Sequence, residues 1–382
     1  MPAYITDIAA FLPNAPVSND EMEGVLGLVD QVPSRTRRII LRNNRIKSRY
    51  YAIDAATGET THTNAQLTAE AVRGLHPWPD FSPEAIECLC CGTSTPDQLL
   101  PGHGPMVHGE LKGKPCEIMS AAGVCTSGMI SMKYAWMSVA SGQSRNAVAT
   151  GSELVSTFIR ASLCGSVDPQ RADQIEERPT IAFEADFLRW MLSDGAGAAF
   201  ITDQPSDTGP SLRIDWIDIL SFAHDMEPCM YAGADKLEDG TLRGWREQPS
   251  LAKAAKDRTF LVKQDVKLLN QEVLTASVER TLPILIEKHG LDPDSVDWFL
   301  PHYSSDYFRT GLHDHMVNIG FDIPFERWFT NLTVKGNTGS ASIYIMLEEL
   351  LHSGSLKRGD KLLCFIPESG RFSICYMQLT VV

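Results

Sequence analysis

Apolar and polar positions along this chain fall into two rhythms. Short, almost wholly apolar runs such as "AIECLCCGTST", "NAVAT", "DWFLPHYSS" and "KLLCFI" end in small or polar residues. They read as strands covered on both faces. Between them lie longer amphipathic or apolar stretches such as "CTSGMISMKYAWMSVASG" and "NTGSASIYIMLEELLHSG", which read as helices. Strand-like and helix-like segments alternate over the whole chain, which predicts an α/β fold with helices layered on sheets.

The pattern also repeats. One copy runs from Cys125 and the other from Asn337, and in each a small polar cluster opens an apolar helix. Each helix closes on Ser-Gly, with the glycine 17 residues on (142 − 125 and 354 − 337). Glycine just past a helix end is a common stop. Each copy then enters a strand, and each is preceded by an apolar strand, "EAIECLCCGTST" or "DSVDWFLPHYSS". This predicts a duplicated unit packed about a pseudo-twofold axis, with Cys125, His302 and Asn337 brought together near it. The Pro-, Ser-, Asp- and Gly-rich stretch 202–211 marks the division into halves 1–205 and 206–382. A polar excursion near 222–250 reads as an inserted loop or cap.

Composition narrows the classes of function. The 382 residues carry a net charge of −14, which argues against a nucleic-acid partner. No apolar run is long enough to span a membrane. The first residues lack the basic-then-apolar layout of a secretory signal, so the expected compartment is the cytoplasm. Nine cysteines imply neither disulfides nor a metal site, since Cys88, Cys90 and Cys91 fall together in an apolar run that reads as a buried strand. One local exception to the acidic balance is "RTRRIILRNNRIKSR", residues 35–49, which has seven basic residues and no acidic one. It reads either as a solvated basic face or as a seat for the phosphates of a coenzyme A or phosphopantetheine arm, with Arg45 and Arg49 as candidates.

Cys125, at the start of an apolar helix and beside Gly123, Thr126, Ser127 and Gly128, has the surroundings of an acyl-accepting nucleophile. A helix N-terminus is expected to lower its thiol pKa. Taken singly, His302 is an ordinary strand-end histidine and Asn337 an ordinary helix cap. With a cysteine they become two neutral N–H donors for the enolate of a thioester.

On these residues the chain resembles the thiolase superfamily, and within it the ketoacyl-ACP synthase III condensing enzymes. "ITDIAAFLPNAPVSNDEME", "CGTSTPDQLLPGHG", the Cys125 segment, "ATGSELVS", "SDGAGAAFI" and "KGNTGSASIYIMLEELLHSGSLKRGD" carry the likeness in order. The resemblance implies a five-layered αβαβα thiolase-like fold, a homodimer, and a Cys125–His302–Asn337 triad. It implies a thioester oxyanion hole from the amides of Cys125 and Gly370, and Leu100 reaching into the partner subunit's acyl pocket. It implies acyl carrier protein or coenzyme A thioesters as substrates, with no tightly bound cofactor and no metal. Arg309 lies where the family places a basic residue for carrier docking.

Several positions depart from the pattern. "HYSS" stands where "HQAN" is usual, and the tryptophan that commonly stacks on adenine has no counterpart near "RNNRIKSR", which favours a carrier protein over coenzyme A. Cys364 before "FIPESG" leaves a thiolase reading open, but "GNT" favours a condensing enzyme. "FLPHYSSDYF" and "IPESGRFS" resemble the dialkylresorcinol and bacterial stilbene ketosynthases, which implies joining two acyl chains and closing a ring. That chemistry needs a base, for which Glu153 is the candidate. Decarboxylative malonyl condensation, acyl transfer without C–C bond formation, and a non-catalytic partner subunit are the alternatives.

Overall fold

Strands buried on both faces must feed two cores at once, and that requirement organises the molecule. In the computed structural model, which describes residues 1–34, 36–164 and 187–382, nine strands form one mixed sheet. They are β1 (Tyr4–Phe11), β2 (Cys88–Thr93), β3 (Glu117–Ala122), β4 (Asn146–Glu153), β5 (Gly195–Thr202), β6 (Leu212–Ser221), β7 (Trp298–Pro301), β8 (Lys361–Pro367) and β9 (Ser373–Val381). Their order is β7-β8-β9-β6-β1-β5-β4-β2-β3.

The order contains the same motif twice. β2 runs parallel to β4, β4 antiparallel to β5, and β5 antiparallel to β1. Likewise β7 runs parallel to β8, β8 antiparallel to β9, and β9 antiparallel to β6. The two sets meet where Tyr4 and Ile5 of β1 pair with Arg213 and Leu212 of β6. β3 lies outside β2, and a parallel bridge from Phe299 to Trp328 occupies the equivalent place outside β7. The stretch 202–211 connects β5 to β6.

Two helices occupy the middle layer, α2 (Ser127–Ala140) and α5 (Ser342–His352); α1 (Asn64–Arg73) covers an outer face of the first set, and α3 (Val266–Leu274) and α4 (Phe308–Asn318) cover the second. Period-two alternation sends neighbouring residues to different cores. Cys88 and Cys90 of β2 meet the central helices, whereas Leu89 and Cys91 face α1. Cys364 and Ile366 of β8 face inward, and Leu363 and Phe365 face the outer helices. This double burial explains cysteines in a strand with no partner metal: among the described residues no His, Cys, Asp and Glu group is set to hold one. Ser141-Gly142 and Ser353-Gly354 end the central helices, each glycine with φ above +70°.

The start of α2 packs tightly against the turn that opens α5. A Cβ on Gly128 or Gly151 would run into the Ser340 carbonyl and the Tyr344 ring, so glycine at both places lets the turn before α5 settle onto β4. Tyr344 Oη donates to the Gly128 carbonyl at 2.7 Å and Ser340 Oγ to the Ser152 carbonyl at 3.1 Å. These contacts fix the Asn337 segment relative to the Cys125 segment.

The polar excursion is a folded cap. Met230–Tyr231 pairs with Lys263–Gln264, and Ala234–Lys236 with Leu242–Gly244. Lys236 bridges Glu227 and Asp265, both at 2.9 Å, and Lys263 meets Asp235 at 2.7 Å. Among the described residues no helix is long and apolar enough to cross a membrane.

Candidate active site

One cavity of about 340 Å³ gathers the chemistry-bearing residues: Cys125, His302, Asn337 and Glu153 all stand in its wall. The rest of the lining is largely apolar. Phe158, Leu188 and Met191 come from the first half of the chain, and Leu269, Val273 and Phe308 from the second.

Cys125 sits one residue before Thr126, the cap of α2, on the loop leaving β3. The expected lowering of its pKa is not found. Burial, followed by the charges of Glu368 and Glu153, pushes the thiol well above its ordinary value.

His302 follows β7 and is 4 % exposed, with its amide donating to the Phe365 carbonyl at 2.8 Å. Burial lowers its imidazole to about 4, so the ring is neutral at physiological pH. Asn337 is 4 % exposed and is clamped by its backbone: its amide donates to Met191 and its carbonyl accepts from Ser193. Its side-chain Oδ1 accepts the Gly339 amide at 2.9 Å, which leaves the Nδ2 hydrogens as the group's free function. A neutral imidazole and an oriented carboxamide are thus present without a cation.

Glu153 closes β4 and is 1 % exposed. Oε1 accepts the amides of Ser94 (3.3 Å) and Ser340 (3.2 Å); Oε2 accepts the hydroxyls of Ser94 (2.5 Å) and Thr95 (3.0 Å). Four donors fill a carboxylate's four acceptor sites. Burial raises its pKa, and these bonds to Ser94, Ser340 and Thr95 pull it back.

Three readings from sequence need correction. Arg49 is fully buried: Nη1 donates to Asn19 Oδ1 at 2.5 Å and Nη2 to the Trp190 carbonyl at 3.2 Å. It ties the chain to the core and cannot meet a phosphate. Arg309 is partly buried, with its guanidinium 4.6 Å from the centre of the Phe325 ring, so it is a packed cation rather than an open docking residue. The Gly370 amide, expected in the oxyanion hole, donates to the carboxylate of Glu368 instead.

Arg45 and Leu100 both lie exposed at the surface. Arg45 is exposed and 3.3 Å from Asp306, next to the segment whose Tyr303 and Ser304 line the cavity. In the same basic stretch Arg37 pairs with Glu23 at 2.6 Å, Arg38 and Arg42 are exposed, and Arg35 lies outside the described residues. Leu100 is 86 % exposed and is not part of its own chain's cavity wall. Sequence reasoning missed Glu368 and the contribution of the cap, whose Met230, Ala232 and Gln264 line the cavity. An acidic residue directly after a buried strand, in "FIPESG", was the available signal.

The pattern that defines the C-terminal part of 3-oxoacyl-[acyl-carrier-protein (ACP)] synthase III matches residues 286–366. Beta-ketoacyl-[acyl-carrier-protein] synthase III of Clostridium perfringens is 24 % identical over 365 residues, covering 94 % of each chain. The protein of the same name from Aquifex aeolicus is 24 % identical over 95 % of this chain and 94 % of its own. Among solved structures, AbyA1, a tetronic acid condensing enzyme, superposes with a TM-score of 0.72 at 20 % identity over 99 % of both chains. OleA from Xanthomonas campestris, solved with lauric acid and lauroyl-CoA, gives 0.73 at 17 % over 100 % of this chain and 99 % of its own. In sequence the chain is similar along nearly its whole length to the beta-ketoacyl-[acyl-carrier-protein] synthases III, and it shares the thiolase-like fold of their solved structures.

Proposed function

We propose that the chain loads an acyl group as a thioester on Cys125 and then joins it, in a Claisen-type condensation, to the α-carbon of a second thioester. The observation that supports this most is the convergence of Cys125, His302 and Asn337 on one apolar cavity. The apolar wall suits an acyl chain, and the two neutral donors suit an enolate oxygen. A cationic histidine would be a stronger donor, but burial holds His302 neutral. The enolate is therefore met by an imidazole N–H and the Asn337 carboxamide.

The hydrogen-bond inventory favours a malonyl-type second thioester. Loss of CO₂ leaves the carbanion directly, so no base is needed, and Glu153 has no open acceptor site to serve as one. A second reading keeps a β-ketoacyl thioester, deprotonated rather than decarboxylated, followed by closure to a resorcinol- or cyclohexanedione-type ring. It is supported by the raised pKa of Glu153 and its place in the cavity wall.

Phosphopantetheine enters this scheme as part of the substrates, carried by an acyl carrier protein. Arg45, exposed beside the cavity-lining segment, is the cation best placed for it. Leu99 and Leu100, 70 % and 86 % exposed, form an apolar tip that fits a homodimer contact. Light scattering of the purified chain would read a dimer, and Leu100→Asp would weaken it.

The function is tested by single-turnover reactions of the acylated protein with malonyl-carrier and β-ketoacyl-carrier thioesters. CO₂ release with a lengthened β-ketoacyl product supports the first reading. A ring product with no malonyl-derived unit supports the second. An acylated Cys125 that forms neither, but passes its acyl group to an alcohol or amine, contradicts both.

A further inference from the structure

Two guanidinium groups lie in the core with no carboxylate on them. Arg49 is 0 % exposed and Arg189 3 % exposed. An arginine keeps its charge inside a protein, so both are buried cations. Arg49 Nη1 donates to Asn19 Oδ1 and its Nη2 to the Trp190 carbonyl. Arg189 Nη2 donates to the carbonyls of Gly27 and Leu26. Each of these acceptors is neutral, and neither arginine has an ion-pair partner among the described residues. Their Nε atoms are buried without an acceptor among those residues, and the same holds for Tyr51 Oη and Trp190 Nε1. A buried donor left without an acceptor is costly, and a buried charge left without a counter-charge more so.

These groups share one neighbourhood. Arg49 bonds to the backbone of Trp190, and the Arg189 guanidinium carbon lies 4.9 Å from the centre of the Trp190 ring. The charges of Arg49, Asp194 and Arg189 all act on the Tyr51 phenol. Burial pushes that phenol up, so Tyr51 stays neutral and supplies no counter-charge. Asp194 supplies one, since burial raises its carboxyl only to about 6. Its oxygens, however, accept the amides of Ala52 (2.7 Å) and Ser156 (2.8 Å) and the Ser156 hydroxyl rather than either arginine. Two cations and one carboxylate leave this part of the core with a net charge of +1 (2 − 1).

We propose that Arg49 Nε, Arg189 Nε, Tyr51 Oη and Trp190 Nε1 hold a small monovalent inorganic anion, chloride in ordinary buffers. One negative charge completes the local balance. Nη2 of each arginine already faces a carbonyl, so what remains is single N–H groups rather than the open fork that suits phosphate or carboxylate. A multivalent anion would also cost far more to strip of water in so buried a place. The site backs onto the cavity wall. Arg189 and Trp190 stand between Leu188 and Met191, which line the cavity. The Met191 carbonyl and the Ser193 amide hold the backbone of Asn337. The anion therefore braces the segment that positions Asn337, a consequence that rests on the proposed role of Asn337 in condensation.

The test grows crystals of the full chain in sodium bromide and reads anomalous scattering at the bromine edge. A peak within hydrogen-bond reach of both Nε atoms is expected. Peaks confined to the surface, an adventitious ion only, would overturn the proposal. In solution, chloride is exchanged for gluconate at constant ionic strength. A ligand of the folded state alone raises stability with the logarithm of its concentration, so the wild-type melting temperature should climb with chloride. Arg189→Met, which keeps an apolar stem and removes a cation, should lose that dependence. Trp190→Phe, a milder change that removes one donor, should raise the half-saturating chloride concentration about tenfold or more. Melting that follows ionic strength and ignores chloride would contradict the site. Gluconate exchange should slow condensation more than acylation of Cys125. Equal rates in both salts beside a bound bromide would overturn the link to Asn337. A chain that neither acylates nor condenses while still binding bromide would sink the proposed function and leave the anion site standing.

Discussion

Glu153 separates a structural carboxylate from a catalytic one, and two substitutions at this position make opposite demands. In Glu153→Ala the Ser340 amide, buried beneath α5, loses its acceptor, and so does the part-buried Ser94 amide. Each stranded donor costs about 1–3 kcal/mol. The Ser94 and Thr95 hydroxyls can turn elsewhere, so the expected loss is about 3–5 kcal/mol, including the space vacated by the side chain. In Glu153→Gln the amide oxygen still accepts both backbone N–H groups, and the NH₂ faces two hydroxyls able to accept. That change should cost about 1 kcal/mol or less. The native carboxyl holds its proton to a higher pH than the unfolded one, so the native state binds more protons just above the model-carboxylate range. Wild-type stability therefore falls as pH rises through that window, and Glu153→Gln lacks this decline. Urea unfolding at several pH values measures all three quantities. Equal destabilisation by Ala and Gln would refute the bonding argument. Loss of condensation in Glu153→Gln with acylation intact would refute the claim that this carboxylate has no capacity left to act as a base.

Other outcomes follow from the same geometry. His302 is held neutral, with its imidazole lowered to about 4. A depressed histidine costs stability as pH falls from about 6.5 toward that value, by about 2 kcal/mol at pH 5. Thermal melts should show a smaller acid-side loss for His302→Gln than for wild type. His302→Ala and Asn337→Ala should both stop condensation while leaving acylation of Cys125 measurable by mass. Arg49→Ala should destabilise the chain by about 2–4 kcal/mol through its lost core bonds. Arg45→Ala should leave stability unchanged and raise KM for the carrier thioester.

What the sequence shows of the fold is what local pattern and repetition can carry. The runs around Cys88, Ala147, Phe299 and Leu363 are apolar at every position because each strand serves two cores, so they announce strands without needing an alternating face. The echo of Cys125 and Asn337 is legible because both open central helices that end on Ser-Gly. Electrostatics at the site is not local and was misread. The thiol at a helix start looks acidified, but burial raises its pKa, and Glu368 and Glu153 add to this from the turn after β8 and from β4, far apart in sequence. Arg49 looked like its exposed neighbour Arg45 because a basic run does not say which member turns inward toward Trp190. The cap looked like an idle insertion, because its link to the turn at Gly370 spans more than a hundred residues.

The proposed chemistry depends first on Cys125 carrying the acyl group. The most direct measurement is the intact mass of the purified chain after incubation with a panel of acyl-carrier thioesters, beside Cys125→Ala. A single acyl adduct is expected on the wild type and not on the variant, with the preferred chain naming the substrate class. An adduct that persists in Cys125→Ala, or none with any donor while the thiol still alkylates, would contradict it.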